Sequence, residues 1–213
     1  MPKYDLILFD MDGTIANTDE LVVSTMFELY DFYREGRRTS REQCYYFSGP
    51  PIRNSIKQEF PDGDIDFLVN EFIRLSKDKY DTMVTPYPHS REVKLKLKEM
   101  GIKLGVVTNK RHDLADHCLE VINLHDVFDV LIGYDDVSDT KPSPEGIYKA
   151  MEMMGVTDKK KVLYIGDNPL DDETAKNANV DSCLVTWGPR KMSDTVKPNY
   201  KLDDYYDLLE VVK

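Results

Sequence analysis

The chain has 213 residues, with 28 Lys and Arg against 39 Asp and Glu, so its formal net charge is −11. An acid surplus of this size argues against a nucleic-acid-binding protein and against docking on anionic lipid, because both partners attract cationic surfaces. Hydrophobic residues make up 41% of the sequence, which is too many for a disordered acidic chain and predicts a packed core. If the substrate is an anion, local positive charge must overcome a repulsive overall field.

The sequence carries no apolar run near the roughly 18 residues that a membrane helix needs. Asp5 stands where the hydrophobic segment of a secretory signal would run. The cysteines are few and widely spaced, which fits neither a disulfide framework nor a Cys-x-x-Cys metal site: Cys44, Cys118 and Cys183. We therefore expect a cytoplasmic protein with reduced and mostly buried thiols.

Short apolar runs alternate with helical periodicity along most of the chain. The runs that predict buried strands are residues 4–9, 102–107, 127–133, 162–165 and 180–185. The helical patterns between and after them are residues 91–100, 113–122, 145–154 and 171–178. Strands that alternate with helices of this length are typical of parallel βαβ units. The sequence thus predicts an α/β fold, a three-layer Rossmann-like sandwich around a parallel sheet.

One interval breaks this alternation. After the first strand, the patterns up to residue 85 are helical, at residues 21–33, 41–47, 52–60 and 65–80. We expect an all-helical cap domain of residues 16–85, inserted into a catalytic core of residues 1–15 and 86–213. Pro86 and Pro88 stiffen the return of the chain into the core.

Polar residues follow the strands at the edge where an open parallel sheet binds its ligands. They are, in chain order, Asp10, Asp12 and Thr14 after the first strand, Thr108 and Asn109 after the second, Lys141 before the fourth, and Asp167 and Asp171 after it. Carboxylates in such positions can hold a divalent cation and attack phosphorus. Hydroxyl, amide and ammonium groups can hold phosphate oxygens. The pattern indicates phosphoryl-transfer chemistry.

In this order the motifs resemble those of the haloacid dehalogenase-like hydrolase superfamily, over nearly the whole chain. The matching residues are Asp10, Asp12, Gly13 and Thr14 in the first motif, Thr108 in the second, Lys141, Pro142 and Pro144 in the third, and Gly166, Asp167 and Asp171 in the fourth. The resemblance implies hydrolysis of phosphate monoesters through an aspartyl-phosphate. The helical insertion looks like the mobile cap of that family.

The resemblance also implies a role for each matching residue. Asp10 would be the nucleophile and Asp12 the general acid and base. Thr108 and Lys141 would clamp the phosphate, with Thr14 and Asn109 as further contacts to the substrate. The implied cofactor is Mg²⁺, held by a set of oxygen ligands: Asp10, the backbone carbonyl of Asp12, Asp167, and Asp171 in or next to the coordination shell.

The expected substrate is a small phosphorylated metabolite. Arg53 follows the rigid Gly49-Pro50-Pro51 turn and is a candidate to bind a carboxylate or a second phosphate. That turn and Trp187-Gly188 are similar to segments of phosphoglycolate phosphatases and of the pyrophosphate-hydrolysing branch. Phosphoglycolate is therefore the first expectation, with pyrophosphate, nucleotides and sugar phosphates as alternatives.

Three other functions compete with hydrolysis. The similar sugar-phosphate mutases usually carry Glu at the position of Gly166, which makes phosphoryl relocation the weaker alternative. A non-enzymatic receiver-type switch also uses a phospho-aspartate, but it is much shorter and lacks a helical insertion. A degenerate relative that only binds a partner is disfavoured by the intact motifs. The oligomeric state stays open.

Overall fold

The computed structural model describes residues 2–34, 36, 38–190, 193 and 195–213. In these residues the strands are β1 (Leu6–Phe9), β2 (Ala16–Asn17), β3 (Thr85–Pro86), β4 (Lys103–Val107), β5 (Val130–Ile132), β6 (Val162–Gly166), β7 (Asp181–Val185) and β8 (Tyr200–Leu202). The α-helices are α1 (Asp19–Tyr33), α2 (Arg41–Cys44), α3 (Ile52–Glu59), α4 (Ile65–Lys77), α5 (Tyr80–Met83), α6 (Ser90–Glu99), α7 (His112–Val121), α8 (Glu145–Met154), α9 (Pro169–Ala178) and α10 (Leu208–Val211).

Six of the strands form one sheet in the order β5-β4-β1-β6-β7-β8, and every neighbouring pair is parallel. The central strand β1 is wholly buried because both faces of the sheet are covered. Ile7 and Phe9 belong to one hydrophobic cluster, and Leu6 and Leu8 belong to the other. The predicted three-layer α/β sandwich is confirmed.

The two helical layers divide the remaining elements of the core. Helices α8 and α9 pack on the face that carries Leu6 and Leu8, whereas α6, α7 and α10 contribute to the opposite cluster. Helix α8 ends at Gly155 and α9 at Asn179, both in the left-handed region with φ of 66° and 58°. These are the residue types that adopt this conformation most readily at a helix end.

The helices α1 to α5 lie between β2 and β3, as the sequence predicts for the insertion. The two chain crossings pair with each other as an antiparallel ribbon, with Ala16 opposite Pro86 and Asn17 opposite Thr85. Helix α4 packs against both α1 and α3, and Tyr30 stacks on Phe60 with ring centroids 5.4 Å apart. The division into a core and a cap at residues 16 and 85 stays a prediction. Among the described residues, no helix has the length and apolar character that crossing a membrane requires.

Candidate active site

Three buried carboxylates meet at the carboxyl edge of the sheet. Asp10 follows β1 directly, and Asp167 follows the neighbouring strand β6. Asp171 lies in the first turn of α9, which begins with an Asn168 cap and Pro169. Each of the three offers an oxygen within 4.8 Å of the others. The strand ends therefore bring together residues that lie far apart in the sequence.

Lys141 joins two of these carboxylates from a loop before α8. Its Nζ lies 2.8 Å from Asp10 Oδ1 and 2.7 Å from Asp171 Oδ1. Its backbone N–H donates to Asn109 Oδ1 over 3.1 Å, so the loop after β4 fixes the loop that carries the lysine. Burial alone would lower the pKa of Lys141, but Asp10 and Asp171 hold it well above its usual value. The ammonium is therefore a fixed positive charge at the site.

Two carboxylate oxygens of the cluster lack a hydrogen-bond donor from the described residues. They are Asp10 Oδ2 and Asp167 Oδ1, and both are buried. Burial raises the pKa of Asp10 to about 6 against the pull of Lys141, and it raises that of Asp167 to about 8 against the pull of Arg190. A buried carboxylate oxygen without a donor is costly unless a cation meets it. The residues present therefore fit a hard divalent cation such as Mg²⁺.

Asp171 differs from the other two carboxylates. Its Oδ1 accepts from Lys141 Nζ, and its Oδ2 accepts from the backbone N–H groups of Asp167 and Asn168, over 3.2 and 3.0 Å. Both oxygens are thus engaged by protein donors. Asp171 therefore orients Lys141 and the loop of Asp167.

Asp12 faces the helical insertion. Its Oδ1 accepts from Thr18 Oγ1 over 2.7 Å and lies 2.9 Å from Lys110 Nζ. Lys110 in turn donates to the Tyr80 hydroxyl over 3.1 Å. The carboxyl group of Asp12 is held in place by one residue of the loop after β4 and one at the start of the insertion.

Arg190 connects the insertion to the carboxylate cluster. Its Nε donates to Asp167 Oδ2 over 2.8 Å, while its Nη1 donates to Asp19 Oδ1 and to the Tyr45 carbonyl, both over 2.9 Å. Asp19 and Tyr45 belong to the helical insertion, and Asp167 belongs to the core. The buried guanidinium is therefore a polar link between the two parts of the chain.

A cavity of about 400 Å³ opens between the insertion and the core. Asp12 and Asn109 stand at its core end, and helices α3 and α4 supply part of the opposite wall. Its volume falls within the range of about 300–1,000 Å³ that is usual for ligand pockets. At its core end the cavity thus reaches polar residues that follow β1 and β4.

The sequence model of the haloacid dehalogenase-like hydrolases matches residues 7–185. The chain belongs to this family. The pyrophosphatase PpaX of Halalkalibacterium halodurans is 34% identical over 213 residues, which are 99% of this chain and 97% of that protein. A haloacid dehalogenase-like family hydrolase of Streptococcus pneumoniae shares the fold, with a TM-score of 0.88, 18% identity and 98% of each chain covered. So does a predicted phosphoglycolate phosphatase of Haemophilus somnus, with a TM-score of 0.84, 21% identity and 99% of each chain covered.

These comparisons confirm the resemblance that the motifs indicate. The chain is a haloacid dehalogenase-like hydrolase, and the relatives with a named activity are phosphatases and pyrophosphatases. The prediction of an enzyme of the hydrolase class is therefore confirmed. The roles predicted for single residues stay predictions.

The structure brings most of the predicted residues to this edge of the haloacid dehalogenase-like fold, but not all. Thr108 is buried beside Lys110, whose backbone N–H donates to Thr108 Oγ1 over 3.2 Å. Thr14 is fully buried, and only its carbonyl has a partner among the described side chains, the hydroxyl of Tyr205. Arg53 lies on the outer wall of the cavity, where it is exposed and pairs with Asp66 over 2.6 Å. No contact joins Arg53 to the carboxylate cluster in the described part of the chain.

Two cations of the site were given no role by the sequence analysis, although Lys110 is among the residues that follow the second strand. Lys110 directly follows Thr108 and Asn109, so its place just after β4 is a usable signal. Arg190 follows β7 and the Trp187-Gly188 pair, again at the carboxyl edge of the sheet. Both could have been found by extending the strand-end argument to every basic residue in these loops.

Proposed function

We propose that this chain is a Mg²⁺-dependent phosphatase that hydrolyses small phosphate monoesters through an aspartyl-phosphate on Asp10. The observation that carries the proposal is the buried group of Asp10, Asp167 and Asp171 around Lys141. One oxygen of Asp10 and one of Asp167 have no hydrogen-bond partner among the described residues. Asp10 and Asp167 would hold Mg²⁺, which when bound would offset negative charge on the phosphate oxygens.

In this proposal hydrolysis takes two chemical steps, and each side chain has a stated role in them. In the first step, a carboxylate oxygen of Asp10 forms a bond to phosphorus while the ester P–O bond breaks, and Asp12 gives a proton to the departing alcohol. In the second step, Asp12 takes a proton from water, whose oxygen bonds to phosphorus as the acyl-phosphate bond breaks. Lys141 and Thr108 hold phosphate oxygens in both steps. Asp12 suits this exchange because Thr18 and Lys110 fix its position.

The helical insertion would act as a mobile cap over this chemistry. Only a short ribbon, β2 with β3, carries the chain between the two parts. Across the gap, Asn109 Nδ2 donates to the Gly49 carbonyl over 3.5 Å, and Arg190 bonds to Asp19 and Tyr45. These polar contacts, and the apolar packing that joins Tyr80 of the insertion to the side of α7, would have to break when the cap opens.

The substrate expected from the sequence is phosphoglycolate, with pyrophosphate and nucleotide or sugar phosphates as alternatives. The names of the relatives support the first two, since one is a pyrophosphatase and another a predicted phosphoglycolate phosphatase. The proposal includes a cytoplasmic location, which the three free and buried cysteines support.

The test is Asp10→Asn, assayed with an aryl phosphate in Mg²⁺ and after EDTA treatment. The variant should fold and lose essentially all turnover, and EDTA should abolish turnover of the unchanged protein. Asp5→Asn is the control, because Asp5 is exposed just before the same strand. Sustained activity of Asp10→Asn would refute the mechanism. A receiver-type switch would instead accept phosphate once without continued release.

A further inference from the structure

The cavity beside Asp12 is walled mainly by apolar side chains. Six of them are Phe47, Ile52, Val69, Phe72, Ile73 and Leu114. Five of these come from the helical insertion and one from α7, so the apolar surface faces the cavity from several sides. A substrate whose phosphate lies at Asp10 would place its leaving group against this surface. Burying an apolar group there is favourable, whereas burying a charge there is costly unless a counter-charge waits for it.

The cations that line the cavity are already paired. Lys110 is held by Asp12, and Arg53 by Asp66, with N–O distances of 2.9 and 2.6 Å. Arg111 pairs with Asp113 over 2.5 Å. Each of these pairs is close to charge-neutral. A second phosphate or a carboxylate on the leaving group would compete with these carboxylates, above all at Lys110 and Asp12, whose side chains are only 12% and 13% exposed.

A neutral polar group is available in the same wall. Ser48 is only 3% exposed, and its hydroxyl has no hydrogen-bond partner among the described residues. It lies in the Ser48-Gly49 turn that also lines the cavity. A hydroxyl can donate one hydrogen bond and accept up to two, so it suits an uncharged ring nitrogen, amide or hydroxyl of a ligand.

We propose that the substrate of this site is a phosphate monoester whose leaving group is an uncharged, largely apolar or aromatic ring system rather than a second phosphate or a carboxylate. The proposal rests on the phosphatase function proposed above and narrows its substrate class. It places the leaving group in the apolar cavity, with a polar edge of the ring near Ser48. It differs from the expectation of phosphoglycolate or pyrophosphate that the sequence and the names of the relatives favour.

The first experiment measures binding without turnover. A phosphonate carries a P–C bond in place of the ester P–O bond, so it reports affinity whether or not the protein hydrolyses esters. We expect the Mg²⁺-loaded protein to bind benzylphosphonate at least tenfold more tightly than methylphosphonate and phosphonoacetate, measured by calorimetry. A phosphonoacetate affinity equal to or above that of benzylphosphonate would overturn the proposal, as would equal binding of benzyl- and methylphosphonate.

The second experiment changes the wall. Ile73 and Val69 are half-buried on one face of α4 and line the cavity. Ile73→Lys adds a cation there, and it should weaken benzylphosphonate binding and strengthen phosphonoacetate binding, each by fivefold or more. Asn70→Lys is the matched control, since Asn70 is exposed on the same helix and does not line the cavity. Equal effects of the two variants would show a field effect of the added charge and would overturn the proposal.

The two proposals can fail separately. If Asp10→Asn retains turnover, the mechanism fails, and the order of phosphonate affinities still decides the leaving-group class. If Asp10→Asn is inactive and phosphonoacetate binds best, the phosphatase proposal stands and the aromatic leaving group is wrong.

Discussion

Lys94 offers a test of the packing that lies outside the candidate site. It is fully buried on α6, and its only hydrogen bond from the ammonium within the described residues goes to Ser90 Oγ, over 2.8 Å. Its Nζ lies 3.7 Å from the centroid of the Tyr205 ring and 4.7 Å from that of Phe9. Burial lowers the pKa of Lys94 well below its usual value, because the structure pairs the ammonium with no carboxylate in the described part of the chain.

The expected change in the free energy of unfolding on replacing Lys94 is the difference between the cost of burying its ammonium and the contacts that the ammonium makes. Removing an ammonium from water costs several kcal/mol after relaxation. Against this, a hydrogen bond from a charged donor returns about 1.5–3 kcal/mol, and a desolvated cation–π contact about 2 kcal/mol. Lys94→Met shortens the side chain by one heavy atom and removes the cost of the buried ammonium. It brings a thioether close to the aromatic rings, and a sulfur–aromatic contact is favourable by about 0.3–1.5 kcal/mol. We expect the variant to be more stable at neutral pH by about 1–3 kcal/mol, and each kcal/mol raises Tm by about 2–4 °C at this size.

The pH dependence identifies the cause. Because the folded protein binds the Lys94 proton less tightly than the unfolded chain, the stability of the unchanged protein rises with pH between the two pKa values. The advantage of Lys94→Met should therefore shrink toward pH 10, with a slope approaching about 1.4 kcal/mol per pH unit inside that range. Urea unfolding at several pH values measures this, with Lys96→Met as an exposed control on the same helix. A loss of stability in Lys94→Met, or an advantage that does not change with pH, would refute the reasoning.

Three further changes test the site and the core. Arg190→Met should lower the Tm of the EDTA-treated protein by the equivalent of about 3–5 kcal/mol, because it leaves two buried carboxylates without a cation. Mg²⁺ should then raise the Tm of the variant more than that of the unchanged protein. Equal Mg²⁺ shifts in the two proteins would contradict this. Asp171→Asn should lower the free energy of unfolding, measured in urea, by about 1–3 kcal/mol and should also reduce kcat/KM. Asp172→Asn is the control, because the partners of Asp172, Lys176 and Ser182, lie outside the carboxylate cluster. This control should reduce stability alone. The cysteines are buried, and burial raises the pKa of Cys44 to about 11 and that of Cys118 to about 12. They should therefore not react with an aromatic disulfide reagent at pH 8 until the protein unfolds. Rapid labelling of the native protein would contradict this.

The parallel core could be predicted from the sequence because its strands are buried on both faces and so contain continuous apolar runs. The elements that were missed give no such signal. Strand β8 (Tyr200–Leu202) is a three-residue edge strand with an exposed lysine in its middle, and β2 and β3 have two residues each. The apolar run at residues 127–133 predicts a longer strand than the observed β5 (Val130–Ile132). The first residue of that run belongs to a 3-10 turn, His125–Val127, which precedes the strand. Short pairings of this kind depend on neighbours that a local pattern does not contain.

The candidate site divides in a similar way. The motif residues could be located because each follows a strand, and parallel strands end at a common edge. The partners of Arg190 could not be located from the sequence. Asp19 lies 171 positions away from Arg190 and contacts it only because the insertion folds over the core. Arg53 is a candidate to bind the substrate, and the packing of α3 on α4 brings Asp66 to its guanidinium; its role stays a prediction. Which of several carboxylates a basic residue pairs with is decided by tertiary structure.

The charges at the site explain how an acidic protein can bind an anion. Among the described residues, five carboxylates and three cations lie in contact around it, and with every group ionised two negative charges are in excess: Asp10, Asp12, Asp19, Asp167 and Asp171 against Lys110, Lys141 and Arg190. Under the proposed function, one bound divalent cation would cancel this excess, so we expect phosphate to bind more tightly when the metal is present. The remaining acids of the net −11 matter less, because exposed charges beyond about 8 Å are largely screened at physiological ionic strength. Under the proposed function, we expect the local balance at the sheet edge, rather than the overall charge, to govern phosphate binding.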